Sequence, residues 1–220
     1  MDKLEFWTIC SANGIVLEKD DIDIFERYHG DILYWNSRVN LISRKDEANI
    51  WERHILHSLG LLTAVKFPDK ARVLDVGTGG GFPGIPLKIA RQDLHVVCVD
   101  SITKKAKMTS MFAEHTGLRG LYVENCRTES LADKSAHKAS YDLVVARAVA
   151  PLAEIVSWTR ALLKPTGKYA LLKGGNLDEE IAQARREFPR LNVHVMPLVM
   201  KGMPWFTEQE KKIVTASFTA

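Results

Sequence analysis

The sequence predicts an α/β fold: a doubly wound, seven-stranded sheet over residues 68–220 behind a helical N-terminal extension at residues 1–67. Three observations predict it. From Ala71 onward, short apolar runs alternate with amphipathic stretches, the pattern of a parallel sheet with helices on both faces. The first run, 72–76, opens into glycines at 77, 79, 80 and 81 before a helical pattern resumes at Gly84. A strand, a turn without side chains and a helix start form a socket for a nucleotide-like ligand. The last two runs, 191–199 and 210–218, have no strong helix between them, so they are expected as an antiparallel pair at one edge.

The extension reads as helical throughout. Leu4, Trp7 and Ile9 open an amphipathic segment that stops at Asn13-Gly14, a C-cap pair. Asp20 and Asp21 start a second helix, with Ile24, Phe25, Tyr28, Ile32 and Trp35 at helical spacing. A turn spans 36–43, and Asp46 is expected to cap a third helix through Ile50, Trp51, Ile55, Leu59 and Leu62. In the sheet region the strands fall at about 72–76, 94–100, 119–124, 141–146 and 167–173, and the helices at about 84–91, 103–117, 151–163 and 178–187. The stretch 201–210, with Gly202, Pro204 and two aromatics, reads as the loop of the final hairpin.

Bulk properties narrow the function classes. A hydrophobic fraction of 46% and a charged fraction of 26% are ordinary for a globular protein. The net charge of +3 permits a nucleic-acid partner without requiring one. Cys10, Cys98 and Cys126 are odd in number and widely spaced, which argues against a disulfide framework or a zinc site. No apolar run approaches a membrane span, and the opening M-D-K-L-E-F-W lacks the form of a signal peptide. A cytoplasmic protein with no membrane and no metal is expected.

The glycine block admits two cofactors. Gly79, Gly81 and Gly84 satisfy G-x-G-x-x-G, with Asp100 at the distance of a ribose-binding acid in a dinucleotide fold. Asp75, Gly77 and Gly79 equally satisfy the D-x-G-x-G pattern of S-adenosylmethionine methyltransferases. Asp75 tilts the choice toward the second, because a carboxylate ending the first strand suits a cofactor with a sulfonium and an ammonium group. In a doubly wound sheet the ligand sits at the carboxyl ends of the strands. Asp100, at the second tip, is placed to accept both ribose hydroxyls. Thr128 and Glu129 follow the third tip, where an adenine edge would lie, although Glu129 reads equally as a solvated helix-start acid.

The fourth tip bears on the reaction. Methylation of an exocyclic base amine uses an [Asn/Asp]-Pro-Pro-aromatic segment there, but this chain has Ala146-Arg147-Ala148-Val149-Ala150-Pro151. Pyrimidine C5 chemistry needs a thiol at this edge, and none of the three cysteines falls there. A 2′-hydroxyl needs a base-and-lysine set, and Asp142 lies at the wrong end of the strand. A ring nitrogen with a free lone pair, such as guanine N7, needs only alignment.

Six segments carry a resemblance: W-N-S-R-V-N-L-I-S (35–43), R-H-I-L-H-S-L (53–59), V-L-D-V-G-T-G-G-G-F-P-G-I-P-L (73–87), C-R-T-E (126–129), A-R-A-V-A-P-L (146–152) and L-L-K-G-G (171–175). Through them the chain resembles the bacterial small-subunit ribosomal RNA methyltransferase G family, also called glucose-inhibited division protein B. The resemblance implies a seven-stranded, Rossmann-like, S-adenosylmethionine-dependent methyltransferase fold. The implied acceptor is guanine N7 of 16S ribosomal RNA, guanine 527 in the family, in the 30S subunit or an assembly intermediate. The positions matching the family's cofactor contacts are Gly77, Phe82, Thr128, Glu129 and Arg147, with Gly79 and Asp100 expected in the same pocket. The family often has aspartate where this chain has His57, and arginine in the final strand where it has Lys211 and Lys212.

On the substrate side, Arg147 is the candidate to hold the cofactor or orient guanine O6 and phosphate with its planar fork. Lys173 is the candidate to stabilise charge near the target base, against a structural role. Arg38, Arg44, Lys45, Arg53 and His54, beside Trp35 and Asn40, are candidate RNA contacts, as are Lys104, Lys105 and Lys107. His54 reads equally as a buried structural histidine. A monomer is expected. Two other readings stay open: an NAD-dependent oxidoreductase, and a non-catalytic RNA-binding protein.

Overall fold

A computed structural model describes residues 1–219. Strands β1 (Arg72–Val76), β2 (His95–Val99), β3 (Leu121–Glu124), β4 (Tyr141–Arg147) and β5 (Leu163–Gly174) pair in parallel. Strands β6 (Leu191–Pro197) and β7 (Lys211–Phe218) form the expected antiparallel hairpin, and β7 inserts between β5 and β6. The sheet order is β3-β2-β1-β4-β5-β7-β6. Chain direction across the sheet reverses between β1 and β4, so a crevice opens at their carboxyl ends.

Successive side chains of a strand point to opposite faces, and both faces are apolar here. Val73, Cys98, Leu143, Val145, Ala170 and Leu172 face one core, and Leu74, Val97, Val99, Val144, Ala146 and Leu171 face the other. The first core is closed by α4 (Gly84–Ala90), by α5 (Thr103–Thr116) through Phe112, and by the N-terminal helices. The second lies under α6 (Leu152–Thr159) and α7 (Asp178–Glu187).

In the extension, α1 (Lys3–Ala12) is capped by Asp2, whose side chain accepts from Glu5 N at 2.8 Å. Helix α2 (Lys19–Asn36) starts on a capping box in which Glu18 and Asp21 bond each other's backbone. The third helix departs from expectation. It divides into a 3₁₀ turn (Arg44–Asn49), a π turn (Trp51–Leu56) and α3 (His57–Ala64). Asp46 caps nothing; its carboxylate takes Arg53 Nη1 at 2.7 Å. The π turn buries Trp51, His54, Ile55 and Leu56.

Two other boundaries shift. Helix α6 stops at Thr159, not 163, because Leu163 already pairs with Tyr141 in the sheet, across a bulge. The hairpin loop contains a short helix, α8 (Trp205–Glu208), whose Phe206 is buried.

Helix α4 begins hard against β1. Gly84 N donates to Asp75 Oδ2 at 2.9 Å, and a Cβ at this position would lie 2.7 Å from both that oxygen and Cys98 Sγ. Gly84→Ala is therefore expected to destabilise the fold by about 2 kcal/mol, the cost of overpacking a filled core. Denaturant melts of both proteins measure it, and an unchanged midpoint refutes the contact.

Candidate active site

The crevice at the carboxyl ends of β1 and β2, beside the segment after β4, is a cleft of about 310 Å³. Its lining includes Gly77, Asp100, Lys105, Thr128, Glu129 and Val149. Gly77 has φ +62°, and a Cβ there would sit 2.6 Å from Val149 Cγ2. The floor is thus bare backbone with the Val149 side chain folded over it. Asp100 is buried, and its carboxylate is held at both oxygens: Gly79 N donates to Oδ2 at 2.9 Å and Ile102 N to Oδ1 at 2.8 Å. Each oxygen keeps a free lone pair, so two vicinal hydroxyls can still be accepted. The Thr109 hydroxyl donates to Gly79 O at 2.6 Å and pins the turn from α5.

Four of the sequence-predicted cofactor residues, Gly77, Asp100, Thr128 and Glu129, share this cleft. Thr128 is buried at the start of a 3₁₀ turn (Thr128–Asp133), while Glu129 is exposed. Gly79 reaches the cleft through its bond to Asp100. Phe82 and Arg147, which pack on each other, do not line it. Trp158 and half-buried Cys126 do, although neither was singled out by sequence. The cleft suits an adenosine-bearing cation: its volume is in the small-molecule range, and an oriented carboxylate sits beside bare backbone.

Asp75 is corrected. Its side chain is fully buried beneath the turn, where Oδ2 accepts from Thr78 Oγ1 at 2.5 Å and from Gly84 N. Burial pushes its pKa up to about 7, against the lowering pull of those two bonds. It ties strand to turn to helix and does not face the cleft.

Arg147, at the end of β4, is half-buried. Its Nη1 donates to Arg53 O at 3.1 Å, its Nη2 donates to His54 Nδ1 at 2.8 Å, and its Cζ lies 4.7 Å from the centre of the Phe82 ring. Burial lowers its pKa to about 10, and a guanidinium so placed stays charged at neutral pH. The bond to Arg147 requires His54 Nδ1 to be the acceptor, so Nε2 carries the proton and faces Asp46 Oδ2 at 3.7 Å. Phe82 thus serves as the floor under Arg147, with Tyr28 packed beside it.

Lys173, at the carboxyl end of β5, is tied to the segment after β4. Its ammonium donates to Ala150 O at 2.5 Å and pairs with Glu180 Oε1 at 2.8 Å, while the same Glu180 oxygen accepts from Leu152 N. This clamp holds the segment after β4, including Val149, over the cleft. Lys212 donates to Gly175 O at 2.6 Å. His57 is buried against Phe206, and burial lowers its pKa well below the usual range.

Of the candidate RNA contacts, Arg53 and His54 join Arg147, while Lys104 and Lys107 are exposed on α5. Arg38 stacks on exposed Tyr34 at 4.4 Å, with Arg44 and Lys45 exposed nearby in the chain. Residues 40–44 and Lys105 border a second, shallower depression, so Lys105 joins it to the cleft. The loop is shaped by Asn36, which sequence reading passed over as a turn residue. Fully buried, it accepts from Leu41 N and Ile42 N and donates to Glu47. A buried amide can satisfy three backbone or side-chain partners at once, and an asparagine ending a helix before a long turn was the available signal. Among the described residues no group of three or more His, Cys, Asp or Glu is placed to hold a metal ion, and no helix is long and apolar enough to cross a membrane.

His54 makes the site acid-sensitive. Burial, then the charges of Arg147 and Arg53, push its pKa down to about 2. The unfolded chain takes up a proton near pH 6.5 and the folded chain does not, so this stability is present above pH 6.5 and is lost as pH falls below it. The loss is about 1.4 kcal/mol per pH unit. His54→Asn is expected to flatten the fall in unfolding free energy between pH 6.5 and 4.5. Equal slopes for the two proteins exclude a neutral buried imidazole.

Comparison with known proteins follows this geometry. The model of the family described as rRNA small subunit methyltransferase G matches residues 21–210. The ribosomal RNA small subunit methyltransferase G of Chlorobium luteolum is 39% identical over 217 residues, covering 96% of this chain and 87% of that protein. That of Roseiflexus castenholzii is 38% identical over 203 residues, covering 90% and 86%. Among solved structures, the ribosomal protein L11 methylase of Lactobacillus delbrueckii subsp. bulgaricus superposes with a TM-score of 0.55 at 20% identity, over 79% of this chain and 80% of that one.

Proposed function

The chain belongs to the rRNA small subunit methyltransferase G family, and from that membership we propose that it methylates N7 of a guanine in 16S ribosomal RNA, guanine 527 in the family. It is an S-adenosylmethionine-dependent methyltransferase. Family membership displaces the dinucleotide reading. When bound, S-adenosylmethionine supplies an electrophilic methyl group on a sulfonium. Asp100 would accept the ribose hydroxyls, the Gly77 backbone would line the ligand, and Thr128 and Glu129 would border its adenine end. Val149, held by the Lys173–Glu180 clamp, closes the cleft from above.

The N7 reading is carried by the tip of β4. Residues 146–151 offer Arg147 and no carboxylate, amide or thiol. Guanine N7 has an in-plane lone pair and needs no base; it needs placement in line with the methyl group, which is where rate is gained. Arg147 presents a planar fork to O6 or a phosphate oxygen and a positive charge against water. The substrate under this reading is the 30S subunit or an assembly intermediate, met in the cytoplasm by a single copy of the chain. Residues 1–67 act as an RNA-facing unit on the methyltransferase domain at 68–220.

The test is incubation with labelled S-adenosylmethionine and unmodified 30S subunits, followed by nucleotide mapping. Label at one guanine N7 is expected. Label on an exocyclic amine or a ribose, or no label, overturns the reading. Methyl-free RNA binding with no turnover would return the protein to a non-catalytic role.

A further inference from the structure

Three cations converge beside the β4 tip with one carboxylate among them. Arg147 Nη1 reaches the Arg53 carbonyl at 3.1 Å. The Arg53 guanidinium lies 5.4 Å from the centre of the Trp205 ring, and Lys211 Nζ lies 5.2 Å from that same ring. Asp46 is spent on Arg53, at 2.7 Å. Among the described residues Arg147 and Lys211 form no ion pair, and the Lys211 ammonium makes no hydrogen bond. Burial lowers the pKa of Lys211, and the charges of Arg147 and Arg53 lower it further against the opposing pull of Asp46. Like charges that outnumber the single carboxylate among them destabilise the free protein and are relieved when an anion enters.

The cluster's place in the fold narrows the choice of anion. Lys211 opens β7 opposite Gly174 at the carboxyl end of β5. Trp205 is half-buried on α8, in the hairpin loop just before β7. Both lie at the carboxyl edge of the sheet but on the β5 side of β4. The cleft holding Gly77, Asp100 and Thr128 lies on the β2–β3 side. A ligand filling that cleft leaves the cations facing whatever approaches the β4 tip from outside.

We propose that Arg53, Arg147 and Lys211, spaced by the Trp205 ring, form a phosphate clamp for the RNA strand that carries the target guanine. The proposal rests on the RNA methyltransferase reading and adds the element that binds the backbone: the α8–β7 end of the C-terminal hairpin, acting with the π turn of the extension. Trp205 contributes as a wall whose π face tolerates both cationic heads. Each phosphodiester it holds fixes the register of the strand without reading its sequence. The other anion available nearby, the carboxylate of the cofactor, shares this chemistry, and the experiment separates the two.

Unmodified 30S subunits are bound to wild type, Lys211→Ala, Lys211→Arg and Trp205→Leu by filter binding across a salt series, and S-adenosylhomocysteine is titrated into each protein by calorimetry. The expected result is roughly tenfold weaker subunit binding for Lys211→Ala, with a salt slope smaller by about one. Lys211→Arg restores both, Trp205→Leu shows an intermediate loss, and S-adenosylhomocysteine affinity is unchanged in Lys211→Ala. A melt of Lys211→Ala matching wild type establishes that the fold is intact, and Lys211→Gln replaces it if the melt shifts. Equal subunit binding by wild type and both Lys211 variants overturns the clamp. A loss confined to S-adenosylhomocysteine also overturns it, assigning the anion to the cofactor. Because the readout is binding, a wild type that binds subunits but transfers no methyl group refutes the parent reading and leaves the clamp to be judged separately.

Discussion

Arg147→Lys is expected to lower kcat/KM for methyl transfer to the 30S subunit by about two to three orders of magnitude. A lysine keeps the charge but loses the fork. Arg147 spends one nitrogen on the Arg53 carbonyl and another on His54 Nδ1 while its plane rests against Phe82. A single ammonium cannot satisfy both acceptors and still face a substrate. The acceptor left unpaired costs about 1–3 kcal/mol, and the lost alignment at the reacting atom adds to it. Initial rates at saturating S-adenosylmethionine test the effect, with circular dichroism confirming the fold. A fall smaller than threefold removes Arg147 from the reacting centre.

Asp100→Ala is expected to weaken S-adenosylhomocysteine binding by about two orders of magnitude. The carboxylate offers charge-assisted hydrogen bonds to two hydroxyls, each worth about 1.5–3 kcal/mol. It also anchors the cleft itself, through Gly79 N at 2.9 Å and Ile102 N at 2.8 Å. Removing it frees the glycine turn on one side and the entry to α5 on the other, so loss of contact and loss of preorganisation act together. Calorimetry reads the change directly. An affinity within threefold of wild type places the ribose elsewhere in the cleft.

The two residues illustrate different kinds of legibility. Asp100 was readable because its position follows from local rules: an apolar run predicts β2, a parallel sheet places ligands at strand ends, and the acid stands at that end. The same logic located Gly77, Thr128 and Glu129, all of which line the cleft. Arg147 was readable as a strand-tip residue, but its partners were not. Arg53 and His54 lie more than 90 positions away in sequence, and no periodicity couples them to β4. Lys173 likewise stood at the end of its strand as a candidate for chemistry. The tertiary structure ties it to Glu180 and Ala150, where it positions the loop over the cleft.

Asp75 shows where a correct motif carried a wrong reason. The D-x-G-x-G pattern pointed to the right cofactor, but the carboxylate serves the turn from below, bonded to Thr78 and Gly84. A strand's side chains alternate between faces, and the residues of the following turn decide what the last of them meets. Sequence spacing alone does not distinguish a side chain pointing into the crevice from one pointing under it.

The sequence by itself determined the strand–turn–helix socket, the parallel sheet with its closing hairpin, and the helical extension. Each rests on periodicity, glycine and capping signals that act within a few residues. Only the tertiary structure decided that the third helix breaks into a π turn, that α8 brings Trp205 against Arg53, and that Lys211 joins Arg147 with Asp46 as the single carboxylate among the cations. Those outcomes depend on packing between segments distant in the chain, where burial and charge are settled jointly and no short stretch carries the information.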